Sequence, residues 1–330
     1  MHPAPSVIVF TVLSGLGFGF LAFLGLGALP GHGPWHFALW VLGYALAVGG
    51  LLASTFHLGN PQRAWRAFSQ WRTSWLSREG CAAVATLILL APVALGDLLP
   101  LGDLRLLGLL GAAMSLVTIF TTSMIYAQLK TVPRWNHPVT PLLFLSYAIA
   151  GGSILSGEGR IAVVACLILF LVLAASWRIG DRRFAEVGQS IGSATGLGDL
   201  GKVRVFERGH TAGNYLLHEM MFVVGRKHAD RLRIIALAFS TLIPAALVVL
   251  GGPHWPVVAL AMLCHILGAL AQRYPQAPSA ALVSRVCRHV VRATLGGPAQ
   301  AFLEAAHPDA HLHVVTARAR THGEHAPAAR

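Results

Sequence analysis

The sequence predicts an all-α fold, a polytopic membrane helix bundle with eight transmembrane helices. Two observations predict it. The 330 residues are 55% hydrophobic and only 12% charged, which lies outside the usual composition of soluble globular domains. Charged residues are also nearly absent over runs of about 17 to 24 residues, close to the ~20 that a helix needs to cross the hydrocarbon layer. These runs lack period-2 alternation and are far longer than barrel strands, so strands are excluded.

The eight apolar runs follow one another from the N-terminus to about residue 271. They are Ser6–Leu29, His36–Leu58, Gly80–Gly96, Leu106–Leu129, Val139–Gly157, Ile161–Trp177, Ile234–Leu250 and Pro256–Ala271. Nothing positive precedes the first run, and it is longer than the apolar part of a signal peptide, so we expect a retained helix. Its glycines predict close helix packing, since small residues let helices approach in lipid; they are Gly15, Gly17, Gly19, Gly25 and Gly27.

The distribution of basic residues predicts the orientation. If the helices alternate, the connections 59–79, 129–138 and 178–233 and the residues after Ala271 share one side of the membrane and carry 23 of the 25 Lys and Arg residues. The opposite side has only Arg105 and Arg160. The positive-inside rule places the basic side, with both termini, in the cytoplasm. The net charge of +12 is therefore a topological signal, and no nucleic-acid partner is predicted.

Cysteine and histidine positions argue against a metal centre. Cys81, Cys166, Cys264 and Cys287 are far apart without a CxxC pair, so the chain is expected to hold neither an iron–sulfur cluster nor zinc. A transmembrane b-type haem needs two facing histidines. Only His265 lies near the middle of an apolar run, which predicts a hydrogen-bonded core residue and no haem.

The densest polar chemistry among the apolar runs lies between His57 and Gly80. His57 closes the second run, one turn before Pro61. Glu79 opens the third, two residues after Ser77, which is predicted as the N-cap. Both therefore lie at the same membrane depth, and the connecting loop can fold back to bring them together. An imidazole and a carboxyl there could accept the protons of a quinol as it is oxidised. Alternatively, His57 only contacts lipid headgroups and Glu79 interacts favourably with the helix dipole.

Basic and aromatic residues surround this pair and predict a quinol pocket. The predicted quinol-binding set consists of His57, Arg63, Trp65, Arg78, Glu79 and, from the second loop, Asn136. Aromatic rings could hold a flat ring, although anchoring at the interface is the commoner use of tryptophan. Turn formation also accounts for Asn136 in its Asn-His-Pro sequence without any ligand.

The remaining polar segments suggest a partner surface and a tail. Connection 178–233 is too long for a minimal link, and we interpret it as a docking surface for a partner subunit; a basic loop facing phospholipid is the alternative. We divide the chain into a membrane anchor, residues 1–272, and a C-terminal part, residues 273–330. That part begins with an amphipathic segment containing Arg285, Arg288 and Arg292 and ends in a histidine-rich tail predicted to be disordered.

Three stretches resemble the DmsC family, the membrane-anchor subunits of dimethyl sulfoxide reductase and related molybdoenzyme complexes. They are ASTFHLGNPQRAWRAFSQWRTSWLSREG, YAQLKTVPRWNHPVTPL and ERGHTAGNYLLHEMMFVVGRKHA, at residues 53–80, 126–142 and 207–229. The resemblance implies an eight-helix anchor without haem in the bacterial inner membrane. Such an anchor oxidises menaquinol or ubiquinol and passes electrons to a four-cluster iron–sulfur subunit, which supplies a molybdopterin catalytic subunit. The family's quinol-site histidine and glutamate match His57 and Glu79.

One stretch departs from the family pattern, and two other functions compete. After the eighth run many relatives read Arg-Trp-Leu-Phe-Phe-Ala, whereas this chain reads Gln-Arg-Tyr-Pro-Gln-Ala from Gln272. That departure is compatible with a passive anchor without quinol chemistry. A secondary transporter is the other alternative, but it calls for polar or broken helices that meet at the midplane, preferably in two inverted halves. The ionisable residues here gather at the surfaces instead.

Overall fold

Eight helices form a bundle in the computed structural model, which describes residues 5–57, 61–130, 132–186, 188, 201, 228–252 and 254–273. The helices are α1 Pro5–Gly25, α2 Pro34–Ala53, α3 Trp75–Leu95, α4 Arg105–Ala127, α5 Val139–Leu155, α6 Gly159–Glu186, α7 Ala229–Gly251 and α8 Trp255–Arg273. Two 3₁₀ helices, η1 Ser54–His57 and η2 Pro61–Phe68, lie between α2 and α3. No strand occurs within these ranges.

The predicted class, a polytopic membrane helix bundle, is confirmed, but the number of spans does not match exactly. Seven of the helices are long and apolar enough to cross a membrane. The remaining one, α5, has only 17 residues. Most of the 178–233 connection and everything after Arg273 lie outside the described residues, so the predicted docking surface, amphipathic segment and tail stay predictions.

Helix α1 is the centre of the bundle, and its glycines explain how. A Cβ on Gly17 would overlap the backbone of Ala47 in α2, and one on Gly19 would overlap the backbone of Ala148 in α5. A Cβ on Gly25 would lie 2.7 Å from a carbonyl oxygen of α4. The predicted packing role is confirmed for these three. It is wrong for Gly15, where an added Cβ would have no neighbour within 4 Å. It is also wrong for Gly27, which adopts a φ of 70° in the turn after α1.

Polar contacts join the connections at each end of the bundle. At one end, Asp97 after α3 is bonded to His32 and His36 before and in α2, at 3.2 and 2.5 Å. We call this the Asp97 end. At the other end, Asp181 of α6 forms ion pairs with Arg134 of the α4–α5 connection and with Arg233 of α7. This grouping of connections agrees with the predicted alternation of helices, while the cytoplasmic placement of the basic side stays a prediction.

Helix α7 contains a π-helical segment, Ala238–Leu242, and a backbone carbonyl of this segment is the hydrogen-bond partner of His265 in the middle of α8. In a regular α-helix the carbonyl of Ser240 accepts from the N–H of residue 244, but that residue is Pro244, which has none. The Nδ1 of His265 lies 2.8 Å from the Ser240 oxygen and can donate to it. His265 is buried, 3% exposed, so the predicted hydrogen-bonded core role is confirmed.

Gly19→Ala should destabilise the bundle because the added methyl group overlaps the α5 backbone. Overpacking of a tight contact costs about 1–3 kcal/mol, so the unfolding temperature of the purified full chain in detergent should fall. Gly15→Ala in the same helix has open space at its Cβ and serves as the matched control. Equal unfolding temperatures for the two variants would contradict the close approach of α1 and α5.

His265→Leu should also destabilise the chain, by about 1–3 kcal/mol, because it leaves a buried carbonyl without its donor. Pro244→Ala restores a backbone N–H at position 244 and should recover much of that loss. A double-mutant cycle on thermal unfolding measures the coupling. If Pro244→Ala rescues nothing in the His265→Leu background, the histidine does not serve the proline-deprived carbonyl.

Candidate functional site

Glu79 lies at the end of the bundle opposite Asp97, which we call the Glu79 end. Its side chain is 3% exposed, and its Oε1 is 2.6 Å from the hydroxyl of Thr122 on α4. That hydroxyl is also 2.9 Å from the carbonyl of Thr118. One hydroxyl proton serves one of these acceptors at a time. When Thr122 donates to Thr118, a protonated Glu79 can donate to Thr122; when Glu79 is ionised, Thr122 can donate to it. The pair therefore accommodates the carboxyl group in either protonation state.

The predicted N-cap of α3 is wrong. The helix begins at Trp75, the N-cap position is Ser74, and no side-chain cap bond forms there. The hydroxyl of Ser77 instead donates to the carbonyl of Ala67 in η2. Packing of η2 against the start of α3 has thus taken the hydroxyl that a cap would use. Glu79 lies in the second turn, where the helix dipole acts weakly, so the dipole does not explain a carboxyl group here.

The connection that carries His57 packs against the start of α3. Helix α2 ends at Ala53, and the chain tightens into η1, whose last residue is His57. The 3₁₀ helix η2 contacts both η1 and α3. Gly80 permits this packing, because a Cβ there would lie 3.1 Å from the ring of Phe68. The side chain of His57 lies outside the described residues, so its proximity to Glu79 stays a prediction.

Arg63 and Trp65, two of the predicted quinol-binding residues, lie on η2. Both are exposed, and Trp65 is 66% exposed. The guanidinium of Arg66 lies beside the Trp65 ring, 5.6 Å from its centroid. Exposed tryptophans and arginines at one end of a membrane bundle suit anchoring at the lipid–water interface. The predicted contact of Arg63 and Trp65 with quinol stays a prediction.

Arg78 and Asn136 hold the backbone of their own connections. Arg78 donates through Nε to the carbonyl of Trp71 at 3.0 Å, and its guanidinium lies 4.3 Å from the Trp75 ring centroid. Asn136 donates through Nδ2 to the carbonyl of Ala127 at 2.6 Å, which satisfies an otherwise open carbonyl at the end of α4. Turn formation thus explains Asn136, as the alternative interpretation expects. A quinol contact of either residue stays a prediction.

The structure contains an aromatic cluster near Glu79 that the sequence analysis did not predict. The ring of Tyr126 packs against Trp135 and Phe144, with centroids 5.3 and 5.4 Å apart. The guanidinium of Arg273 lies 3.8 Å from the Phe144 centroid. Tyr126 interacts electrostatically with both Glu79 and Arg273. Within the described part of the chain, no carboxylate forms an ion pair with Arg273.

A small cavity with some polar lining lies deeper in the bundle, between α1, α5 and α8. It has a volume of about 20 Å³, which holds roughly one water molecule. Polar groups line it, among them Thr11, Tyr147, His265 and Arg273. The cavity is too small for a quinol ring, so a ring that reaches Glu79 has to bind elsewhere.

The boundary between α2 and α3 is loosely packed. Helix α2 packs mainly on α1, and α3 packs mainly on α4, whereas α2 and α3 make few contacts with each other. One of them is the hydrogen bond from the Tyr44 hydroxyl to the Leu87 carbonyl, at 2.7 Å. At the Glu79 end, η1 contacts α2, η2 contacts α3, and the two 3₁₀ helices contact each other.

Comparison with protein families decides what kind of chain this is. The family model of the DMSO reductase anchor subunit (DmsC) matches residues 1–176. The chain belongs to the DmsC family. The match covers α1 to α5 and most of α6, and it includes the Glu79 end with η1, η2 and the aromatic cluster.

Two relatives of this DmsC-family chain have curated names. A sulfite dehydrogenase subunit of Allochromatium vinosum is 31% identical over 310 residues, which cover 83% of this chain and 94% of the relative. The anaerobic dimethyl sulfoxide reductase chain YnfH of Escherichia coli is 31% identical over 163 residues, 46% of this chain and 55% of the relative. No solved structure matches the chain. The chain is thus a membrane anchor of the molybdoenzyme type.

Sequence analysis of this DmsC-family chain missed Thr122 and Tyr126 as groups that interact with Glu79. It also missed Arg273 as a residue that contacts the aromatic cluster. Hydroxyl residues are common in apolar helices, where they bond to their own backbone, so nothing in the sequence distinguishes Thr122 from Thr121. Tyr126 carried a usable signal, because it begins one of the three stretches that resemble the family. Arg273 is the basic residue that survives in the departing stretch after the eighth apolar run.

Thr122→Val should destabilise the chain by about 1 kcal/mol, the scale of an interhelical hydrogen bond in a membrane, because it removes the hydroxyl partner of Glu79. Thr121→Val is the matched control, since the Thr121 hydroxyl bonds only to carbonyls of its own helix. Thermal unfolding of single variants and of the Glu79→Gln, Thr122→Val pair gives the coupling energy. A coupling energy of zero would show that the two side chains do not interact.

Proposed function

We propose that this anchor binds quinol at the Glu79 end, oxidises it, and passes the electrons to a partner iron–sulfur subunit that serves a molybdopterin catalytic subunit. The observation that carries the proposal is the Glu79–Thr122 pair. A carboxyl group that is buried at one end of a membrane bundle, and whose hydrogen bond suits both protonation states, is fit to receive and release a proton. Family membership supports the presence of both partners in the complex.

The proposed reaction balances with two bases. A quinol that becomes a quinone releases two electrons and two protons. The electrons leave for the iron–sulfur subunit. Glu79 accepts one proton, with the Thr122 hydroxyl turning toward Thr118 as it does so, and His57 accepts the other. Both bases then release their protons to water at the same end of the bundle.

The loosely packed boundary between α2 and α3 supplies the route. Quinol is soluble in lipid, so its ring can approach from the bilayer between these helices, beneath η1 and η2. There the ring would lie between the His57 backbone and the first two turns of α3, with its tail toward lipid. In this proposal Arg63, Trp65, Arg78 and Asn136 form the wall of the pocket.

In a second candidate function, the same site catalyses the reverse reaction, the reduction of quinone. The relative that aligns over 94% of its own length is named as a sulfite dehydrogenase subunit, and a dehydrogenase withdraws electrons from its substrate. If the partner of this chain does the same, the anchor reduces quinone: two electrons arrive from the iron–sulfur subunit, and Glu79 and His57 donate two protons to form quinol.

Glu79→Gln and His57→Ala should each lower quinol-dependent reduction of the partner by about 100-fold or more, the scale of lost acid–base catalysis, while assembly stays intact. The measurement is steady-state turnover of the purified complex with a soluble quinol analogue. Glu158→Gln is the matched control, because that carboxylate lies at the Asp97 end, and its turnover should stay at the level of the unaltered complex.

Three outcomes separate the alternatives. Turnover that is unchanged in both variants sinks the proposal and favours a passive anchor. Quinone reduction that exceeds quinol oxidation in the unaltered complex, and that both variants abolish, selects the second direction. Loss of the partner subunits from the variants would show that Glu79 or His57 serves assembly.

A further inference from the structure

Two apolar grooves flank α6 at the Asp97 end of the bundle. The first lies between α5 and α6 and has a volume of about 350 Å³. The second lies between α6 and α7 and has a volume of about 480 Å³. Both volumes fall in the range of sites that bind small molecules, about 300–1,000 Å³. Each groove opens on the outer surface of the bundle, where lipid surrounds a membrane protein.

Arg160 and Val164 of α6 line both grooves. The first groove continues along Ile161 and Ile168 of α6 and faces Ser146 and Ile149 of α5. The second faces Val248 and Val249 of α7. Helix α6 therefore forms a ridge with one groove on each side and a single guanidinium at the top of both.

Arg160 is a cation without a protein partner among the described residues. Its side chain is exposed, and the ion pairs found there join other residues. Glu158, two residues earlier, is not within ion-pairing distance of it. An arginine that packs its aliphatic part over apolar side chains and carries its charge at the bilayer surface is placed to bind an anion there.

The groove between α5 and α6 has nearly the length of one membrane leaflet. It reaches from Arg160 to Ile168, which is eight residues or about 12 Å of helix at ~1.5 Å per residue, and half of a hydrocarbon core of ~30 Å is about 15 Å. The groove between α6 and α7 is shorter and reaches from Gly159 to Val164 of α6. Of two apolar chains that start at one head group beside Arg160, one would therefore follow the first groove toward the middle of the bilayer, and the other would enter the second groove.

We propose that Arg160 binds the phosphate of one anionic phospholipid in the leaflet at the Asp97 end, with one acyl chain in each groove beside α6. The double groove accounts for two chains, and the unpaired guanidinium accounts for a net negative head group. A zwitterionic phospholipid brings its own cation next to the phosphate and complements Arg160 less well. This site is at the opposite end of the bundle from Glu79 and does not depend on the quinol proposal.

The test is lipid retention by the full chain, measured by native mass spectrometry in detergent with added phosphatidylglycerol or phosphatidylcholine of the same acyl chains. The unaltered protein should retain one phosphatidylglycerol in preference to phosphatidylcholine. Arg160→Gln should weaken that retention about five-fold, the scale of one basic residue facing an anionic lipid surface. Arg105→Gln is the matched control, because Arg105 also begins a helix at the Asp97 end and lines neither groove; its retention should be unchanged.

A second variant tests the grooves separately from the charge. Val164 is 56% exposed, so Val164→Trp can fill the mouths of both grooves without disturbing the core, and thermal unfolding checks that each variant is folded. Retention should fall in Val164→Trp although Arg160 is intact. Equal retention in the Arg160→Gln and Arg105→Gln proteins, equal retention of the two lipids by the unaltered protein, unchanged retention in Val164→Trp, or a quinone in place of the phospholipid would each overturn the proposal.

Discussion

The close approach of α1 to its neighbours is the constraint on which the bundle depends. In lipid no hydrophobic effect drives helices together, so they associate where backbones can pack closely. Gly17 and Gly19 present bare backbone on two sides of α1, to α2 and to α5, and Gly50 of α2 and Gly152 of α5 do the same from the other direction. One helix therefore fixes two others, and most of α1 is buried as a result.

This arrangement groups the first four helices mainly into two pairs. Helices α1 and α2 form one tightly packed pair, and α3 and α4 form another, held in part by the hydrogen bond between Thr86 and Thr118. Between α2 and α3 the contact is sparse. The carboxyl group of Glu79 faces α4, and the connection that bears His57 contacts both α2 and α3. In the proposed mechanism the proton acceptor therefore has a fixed position within one pair of helices, and quinol enters at the sparse boundary.

Apolar runs, spaced charges and the family resemblance were enough to predict the class of fold and the place of Glu79 near the start of α3, while the approach of His57 to Glu79 stays a prediction. The predictions that failed concerned local structure, which depended on contacts with neighbouring segments. Ser77 has the right position for a cap, but η2 takes its hydroxyl. Helix α2 stops four residues before His57, where the chain tightens into η1. Thr122 became the partner of Glu79 only through packing between two helices, and Arg273 reached the Phe144 ring in the same way; no sequence periodicity predicts either contact.

The hydrogen bond between His265 and the Ser240 carbonyl, which Pro244 cannot serve, bears on how polar residues inside membranes are interpreted. A histidine in the middle of a membrane helix suggests a haem ligand or a proton-transport residue. Here one ring nitrogen instead binds the backbone carbonyl that a proline leaves without a donor in the adjacent helix. The two positions, 21 residues apart, thus act as one structural unit. In a homologous chain that has the histidine but lacks the proline, the helix backbone would supply the donor for this carbonyl, and the imidazole would be free to bind a ligand or a proton.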